Sequence, residues 1–296
     1  ILDSLEGRLD VDREFFAPVR RFDDFIFVKE RGEVEALARK MGVAIHTLDD
    51  LVRALELEFK RLSGVIVGVK LALAYRRILH FDRTTFAEAE EVFNRIYSQR
   101  DFKRVFTDGL RVNMPEALSF DEAKPLQDFM VHRVIQLAIQ YKLPVQIHTG
   151  LQEGNENIIT NSNPTHLTNL FMEYKEAKFD IFHGSYPYTG ELAALAKNFP
   201  NVYVDMCWLH IISPHVARTA LSEWLDTVPG NKILGFGGDY RLVEGVYGHS
   251  VLAREDIGRV LVNKVENDGM SDGEAVYLAK RMLRENGRDL FFPKKS

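Results

Sequence analysis

Apolar runs and amphipathic stretches alternate along most of the chain. Short apolar runs predict buried strands, and the run at 64–70 is the richest in β-branched residues. The predicted strands are 64–70, 144–148, 179–183, 202–206 and 232–239. Longer stretches, in which apolar residues recur at steps of three and four, predict helices. The predicted helices are 33–41, 47–62, 85–99, 119–141, 167–174, 191–198, 216–225, 252–267 and 272–285.

The order of these elements predicts the fold class. Helices and strands follow each other at spacings of about 20 to 40 residues, which is typical of a parallel α/β sheet with helical crossovers. A length of 296 residues is also usual for one (β/α)₈ TIM barrel. No linker-like stretch divides the sequence, so residues 1–296 are predicted to form a single barrel domain. Residues 100–114 fit no element and are predicted to be a surface insertion.

Three predicted strands end on a residue that can bind a metal: His148, His183 and Asp239. Each has a structural interpretation when taken alone. A histidine after a strand is commonly a hydrogen-bonded structural residue, and an aspartate there commonly caps the next helix. Together they lie where a (β/α)₈ barrel places its chemistry, at the carboxyl ends of its strands. The coincidence of three such residues favours a functional site.

Three other features of the sequence lie at or near the predicted strand ends. Lys70 ends the strand predicted at 64–70, where a buried ammonium is costly unless it is paired or functional. The alternative is that its stem lies in the barrel while its charge reaches solvent. Residues 152–164 are polar and rich in asparagine, which suggests a loop on the substrate side. Cys207 lies in an apolar run and is interpreted as a small core residue.

Composition excludes several classes of protein. Hydrophobic residues make up 46% and charged residues 27% of the chain, as in ordinary globular proteins. The net charge of −5 and the absence of a basic run argue against nucleic-acid binding. No apolar span approaches transmembrane length, and the first residues do not resemble a signal peptide. A single cysteine excludes an intramolecular disulfide and favours a reducing compartment such as the cytoplasm.

Two imidazoles and a carboxylate are ligands suited to Zn²⁺, Mn²⁺ or Fe²⁺. A divalent metal held by His148, His183 and Asp239 would activate water. Asp239 could then serve as ligand and general base, and His183 as ligand or electrophile. Competing motifs are absent from the sequence: there is no G-x-S-x-G elbow, no P-loop, no G-x-G-x-x-G after a strand and no H-E-x-x-H.

The strand-end residues, in this order, resemble those of the amidohydrolase superfamily of metal-dependent barrels. The similarity is to its amidohydrolase-2 clade, and within it to the amidohydrolase-like domain fused to glutamine synthetase. It covers the chain from about residue 64 onwards. The stretches that carry it are 69–70 with 74–76, 143–150, 182–187, 200–205 and 237–240.

The resemblance implies a metal-dependent hydrolase, with zinc as the expected ion, acting on an amide, C–N or related bond of a small polar substrate. It implies metal ligands at His148, His183 and Asp239, and catalytic roles for Asp239 and His183. Lys70 matches a position where many members carry a carboxylated, metal-bridging lysine. Candidates for binding an anionic substrate are Arg76, Tyr186 and Arg241.

One departure from the family pattern keeps other functions open. Members begin with His-x-His on their first strand, and no two histidines of this chain are separated by one residue. We expect the first strands to precede Ile1, and the alternative is a member that has lost its metal. A uronate-isomerase-like barrel and a non-catalytic ligand-binding barrel therefore remain hypotheses. The expected partner is a small molecule, with a homo-oligomer left open and neither nucleic acid nor membrane expected.

Overall fold

The structure is a computed structural model of the chain. It describes residues 2–3, 9, 11–98, 102–107, 110–115, 117–240 and 242–292. The strands in these residues are β1 (Leu2–Asp3), β2 (Pro18–Arg21), β3 (Gly68–Leu71), β4 (Phe102–Thr107), β5 (Leu110–Pro115), β6 (Val145–Ile147), β7 (Phe179–Ile181), β8 (Val202–Asp205) and β9 (Ile233–Leu234).

Helices connect most of these strands. In chain order the α-helices are α1 (Asp23–Ile26), α2 (Arg31–Met41), α3 (Leu48–Leu62), α4 (Phe86–Ser98), α5 (Phe120–Gln140), α6 (Thr168–Glu173), α7 (Thr189–Asn198), α8 (Leu209–Ile212), α9 (Pro214–Thr227), α10 (Val243–Asn267), α11 (Asp272–Lys280) and α12 (Asn286–Phe291). Short 3₁₀ turns lie at Leu73–Tyr75, Ile159–Ser162, Pro164–Leu167, Phe182–Ser185 and Gly230–Lys232, and a π-helical turn lies at Arg281–Glu285.

The chain forms two compact units. The first comprises residues 1–66 and 81–141, and the second comprises residues 67–80 and 142–296. The residues predicted from the sequence to form the functional site belong to the second unit. Whether residues 1–296 act as one domain stays a prediction.

The first unit contains helices α1 to α5, the parallel pair β1–β2 and the antiparallel pair β4–β5. Its core includes stacked rings of Phe22 and Phe59, whose centroids lie 4.4 Å apart. Arg20 and Glu58 are buried together, with Arg20 Nε 3.3 Å from Glu58 Oε1. A buried charge needs such a partner, so this ion pair completes the core rather than interrupting it.

The second unit is built on a parallel sheet in the order β3-β6-β7-β8-β9. Its register aligns Lys70 with Gln146, Gln146 with Asp180, and Asp180 with Tyr203. Val204 aligns with Ile233. Because all five strands are parallel, their carboxyl ends lie along one edge of the sheet. Every site residue predicted in the loops after these strands therefore originates at that edge.

Local signals in the sequence explain where several helices begin and end. Thr47 and Ser119 form capping boxes with Asp50 and Glu122, which satisfy backbone N–H groups at the starts of α3 and α5. Gly42 ends α2 with a left-handed φ of 67°. These boundaries agree with the predicted helices. Among the described residues, none of the helices combines the length and the apolar character that crossing a membrane requires.

The observed elements differ from the predicted ones in several places. The stretch 100–114, predicted to be a surface insertion, includes most of the antiparallel pair β4–β5. Helix α10 begins at Val243 rather than near residue 252. All five predicted strands are longer than the observed ones; for example, β3 begins at Gly68, β7 ends at Ile181 and β9 ends at Leu234. His183 and Asp239 therefore lie in loops beyond the strand ends.

Candidate metal centre

Three neighbouring loops at the carboxyl edge of the sheet carry the predicted ligands. His148 follows β6 directly, His183 lies in the 3₁₀ turn after β7, and Asp239 lies in the loop after β9. The backbone at His183 and Asp239 is left-handed, with φ of 65° and 53°. Such conformations are uncommon for residues with a side chain, and they cluster at functional sites.

The ring of His148 is fixed by its own loop. Its Nε2 lies 3.1 Å from the carbonyl oxygen of Leu151. A carbonyl oxygen can only accept, so Nε2 carries a proton and donates it. The backbone N–H of His148 donates to the carbonyl of Leu71 at 2.9 Å, and the ring packs on Tyr75 with centroids 4.7 Å apart. In the neutral form of the ring, this tautomer places the lone pair on Nδ1.

The ring of His183 is fixed in the same way by a neighbouring loop. Its Nδ1–H donates to the carbonyl oxygen of Cys207 at 3.1 Å, which leaves the lone pair on Nε2. Burial, reinforced by the positive charge of Lys70 and opposed by Asp239, lowers the pKa of His183 to about 4. His183 is therefore a neutral imidazole at neutral pH, which is the form that binds metals.

One nitrogen of each ring faces the other ring. His148 Nδ1 and His183 Nε2 lie 3.0 Å apart, and both rings are buried. Two imidazole nitrogens this close can bind one cation between them, either a proton or a metal ion. Burial disfavours the protonated form of His183. The donor set therefore fits a metal, and carbonyl-anchored imidazoles are the usual arrangement of metal-binding histidines.

Asp239 and Cys207 form a group with His183 that does not include His148. Asp239 Oδ2 lies 3.9 Å from His183 Nε2, and its side chain is 52% exposed. One ligand atom from each of His183, Cys207 and Asp239 lies within 4.8 Å of the other two. Cys207 is buried, as the sequence predicted, but its place beside two predicted ligands was not expected. Burial, followed by the charges of Asp205 and Asp239, raises the pKa of its thiol well above the ordinary value.

A layer of buried polar side chains lies along the aligned positions of β3, β6 and β7. Gln146 Nε2–H donates to Asp180 Oδ2 at 2.9 Å. Burial raises the pKa of Asp180 to about 7, although Gln146 and the charge of Lys70 oppose that shift. Lys70 is buried, and its Nζ lies 3.1 Å from the centre of the Phe182 ring. Its ammonium thus does not reach solvent, and its predicted metal-bridging role stays a prediction.

The sequence analysis did not single out Gln146 or Asp180. The signal that could have found them is their polarity inside two otherwise apolar strands. A polar residue at alternate positions of such a strand indicates a polar layer on one face of the sheet.

Gly150 brings the loops of the two histidines together. A Cβ atom at this position would lie 2.5 Å from the backbone carbon of Ser185 and 2.5 Å from the carbonyl oxygen of Tyr186. Its φ of 69° is left-handed as well. The backbone N–H of Leu151 donates to the Tyr186 carbonyl at 2.8 Å. The loop after β6 therefore packs backbone to backbone against the turn that carries His183.

The residues predicted to bind substrate are less well defined. Arg76 is exposed at the end of the 3₁₀ turn after β3, and Tyr186 is half-buried in the loop after His183. Arg241 lies outside the described residues. The predicted substrate-side loop is tied to the turn after β3, because Gln152 Nε2–H donates to the Ala74 carbonyl at 2.6 Å. These three roles stay predictions.

Comparison with solved structures identifies the fold. A crystal structure from Lactobacillus casei, provisionally described as a metal-dependent hydrolase, matches with a TM-score of 0.70 and 22% identity over 93% of this chain and 65% of that one. Uronate isomerase from Thermotoga maritima matches with a TM-score of 0.75 and 20% identity, over 93% of this chain and 61% of that one. Glucuronate isomerase from Caulobacter crescentus matches with a TM-score of 0.73 and 17% identity, over 95% of this chain and 59% of that one. These matches confirm the predicted α/β barrel.

Sequence comparison identifies the family. The protein fluG of Emericella nidulans is 31% identical over 235 residues, which cover 76% of this chain and 25% of that protein. The chain thus spans about a quarter of this curated relative. A profile described as amidohydrolase, for the amidohydrolase-2 clade, matches residues 98–257, more than half of the chain. The chain belongs to the amidohydrolase family.

Proposed function

We propose that this protein is a metal-dependent hydrolase that cleaves an amide, C–N or related bond of a small polar substrate. The observation that carries the proposal is the proximity of the three predicted ligands: His148 Nδ1 lies 3.0 Å and Asp239 Oδ2 lies 3.9 Å from His183 Nε2. Family membership supports hydrolysis as the reaction class. Zinc is the expected ion, with manganese or iron as alternatives, because imidazole and carboxylate ligands suit all three.

Each residue of the proposed site has its own role. His148, His183 and Asp239 would hold the ion. When bound, a divalent cation supplies Lewis acidity, which lowers the pKa of water towards neutrality. Asp239 is half-exposed and lies 3.9 Å from His183, so its carboxylate can reach a water molecule and accept its proton. The hydrogen bonds to Leu151 and Cys207 hold the imidazoles in the tautomers that binding requires.

Substrate binding is assigned to side chains around the edge of the site. Arg76 and Arg241 would pair with an anionic group, and Tyr186 would donate or accept a hydrogen bond. Lys70, in carboxylated form, would bridge a second ion. The single cysteine of the sequence supports a cytoplasmic enzyme. The fusion to glutamine synthetase suggested by the sequence resemblance stays a prediction.

Uronate isomerisation is the second candidate. The solved structures of two uronate-type isomerases share the fold, with TM-scores of 0.75 and 0.73. A histidine-held cation beside a carboxylate could equally promote proton transfer next to a carbonyl group. A screen with amides and uronates as substrates distinguishes the two reactions. Hydrolysis releases an amine or ammonia, whereas uronate isomerisation converts an aldose to a ketose.

The proposal is tested by the metal content and turnover of Asp239→Asn. Wild-type protein should retain about one transition-metal ion per chain after dialysis. Asp239→Asn should lower turnover by about 10²- to 10⁴-fold, because the general base is lost, while retaining most of the metal. Plasma mass spectrometry and a panel of amides and uronates measure both. Asp49→Asn, which changes an exposed aspartate of α3, is the matched control. A metal-free wild type whose turnover is unchanged by Asp239→Asn would contradict the proposal.

A further inference from the structure

We propose that Cys207 is a thiolate ligand of the same metal ion. This inference rests on the proposed metal centre and extends it by naming a fourth ligand that the sequence analysis had interpreted as a core residue. The sequence contains no other cysteine, so any thiolate bound to metal must come from this position.

The first support is the position of the sulfur. Ligand atoms of His183, Cys207 and Asp239 all lie within 4.8 Å of one another. Zinc binds sulfur at about 2.3 Å and nitrogen or oxygen at about 2.0 to 2.2 Å, so two ligands of one tetrahedral ion lie roughly 3.3 to 3.7 Å apart. These three ligand atoms are therefore up to about one ångström farther apart than in a closed site, a gap that side-chain rotation can cover. His148 lies outside this group of three and contacts it through His183.

The second support is independent of the sulfur. His148 Nδ1 lies 3.0 Å from His183 Nε2, and both rings are buried, so imidazole nitrogens lie together beside the proposed ion. The backbone carbonyl of Cys207 accepts the Nδ1–H of His183 at 3.1 Å. Cys207 thus orients one ligand through its main chain while its side chain lies in the same group.

The loop after β9 holds Cys207 next to Asp239. A Cβ atom at Gly237 would lie 2.6 Å from Cys207 Cβ and 2.7 Å from its Sγ. The backbone N–H of Trp208 donates to the Gly237 carbonyl at 3.1 Å. Only a glycine at 237 allows this approach. Asp239 follows Gly237 by two residues in the same loop, so the loop carries Asp239 close to Cys207.

Ligation accounts for the surroundings of the thiol. Cys207, Asp205 and Asp180 are buried close enough to interact electrostatically, and Asp239 adds a further negative charge. On ligation the thiol would release its proton to solvent, and the bound ion would offset the charge of the thiolate beside these carboxyl groups. A soft ligand of this kind favours Zn²⁺ over Mn²⁺, so Cys207 would determine which metal the protein selects.

Cobalt substitution tests the inference directly, with Cys207→Ser as the isosteric variant and Cys207→Ala as its partner. Co²⁺ is titrated into chelator-treated protein, and its visible d–d bands and near-ultraviolet sulfur-to-cobalt charge-transfer band are recorded. Wild type should show both. Both variants should lose the charge-transfer band and keep the d–d bands, since His148, His183 and Asp239 remain. Zn²⁺ affinity should fall at least roughly tenfold in Cys207→Ser, with Mn²⁺ affinity changing less.

The outcomes separate the two proposals. Wild-type d–d bands without a charge-transfer band would overturn the thiolate ligand and leave the metal centre standing. A wild type without any cobalt band would overturn both. Retained d–d bands in the variants also show that the site is still folded, so loss of the charge-transfer band cannot be attributed to unfolding.

Discussion

The second unit contains two pairs of buried histidines that differ in what their nitrogens face. In the pair His148 and His183, one nitrogen of each ring is bound to a carbonyl and the other two face each other at 3.0 Å. In the pair His210 and His249, the rings lie edge to face with centroids 5.9 Å apart. Both pairs are almost completely buried, so burial does not distinguish them.

His210, in the second pair, faces oxygen atoms with both of its ring nitrogens. Its Nδ1 lies 3.1 Å from Asp256 Oδ2, and its Nε2 lies 3.0 Å from the Gly235 carbonyl oxygen. Neither nitrogen is therefore directed at a space that it shares with another imidazole. Arg218 also binds Asp256, at 2.7 Å. Burial, together with His210, lowers the pKa of His249 to about 4.

The difference shows what would distinguish a metal-binding histidine of the proposed site from other buried histidines. Each ring of the first pair has its proton fixed by a carbonyl, which directs the lone pair into a shared space. The ring that is surrounded by acceptors instead links α8 to α10 through Asp256. The proposed function therefore depends on hydrogen-bond partners rather than on histidine content or burial.

The largest expected effect comes from removing one member of the first pair. His148→Ala should abolish metal retention and lower turnover on the order of a thousandfold or more, because the contribution of the ion amounts to several kcal/mol. Plasma mass spectrometry and turnover measure the two effects. His215→Ala, at an exposed position of α9, should leave both unchanged. Full metal content in His148→Ala would remove the distinction between the two pairs.

The second pair should behave in the opposite way. His210→Ala removes two hydrogen bonds from a buried ring, so the free energy of unfolding should fall by about 2 to 4 kcal/mol. Metal content per folded chain should stay at the wild-type value. Urea denaturation and metal analysis of the same samples measure both quantities. A variant of normal stability that has lost its metal would assign His210 to the metal centre instead.

The smallest expected effect is a pH dependence due to Asp180. Its pKa is about 7 in the folded protein against an ordinary value of 3.8. The stability that protonated Asp180 contributes is therefore complete below pH 3.8 and is lost as pH rises to about 7. Asp180→Asn cannot ionise and can still accept the hydrogen bond from Gln146.

We accordingly expect wild-type stability to fall relative to Asp180→Asn as pH rises, with a slope of at most about 1.4 kcal/mol per pH unit. Urea denaturation between about pH 5 and 8 measures this slope. The free energy of unfolding of Asp49→Asn should change with pH as that of wild type does. If the free energy of unfolding of Asp180→Asn also changed with pH as that of wild type does, Asp180 would be ionised throughout this range.

The sequence predicted those parts of the fold that depend on local signals. The capping residues Thr47 and Ser119 and the stop at Gly42 mark helix ends correctly because each acts within one turn. The start of α10 could not be found in the same way. Val243 and Tyr247 are 75% and 73% exposed, so apolar residues in its first turns do not mark a buried face.

The same reasoning explains what was and was not predicted at the site. The sequence analysis identified His148, His183 and Asp239 because they follow apolar runs. The anchoring carbonyls of Leu151 and Cys207 carry no side-chain signal, so the tautomers could not be predicted. Gly235 follows β9, and a Cβ there would lie 2.9 Å from Ile257 Cδ1. That contact depends on how α10 packs against the loop after β9, which sequence periodicity does not reveal.

The close approach at Gly150 has a genetic consequence. Every missense change of a glycine codon introduces a Cβ atom, and at this position that atom would lie 2.5 Å from the Ser185–Tyr186 backbone. No missense change of this codon is therefore conservative, because even alanine would separate the two histidine loops. Inherited loss of the site could thus arise while every ligand codon is intact. A survey of natural variants that scores only His148, His183 and Asp239 would overlook it.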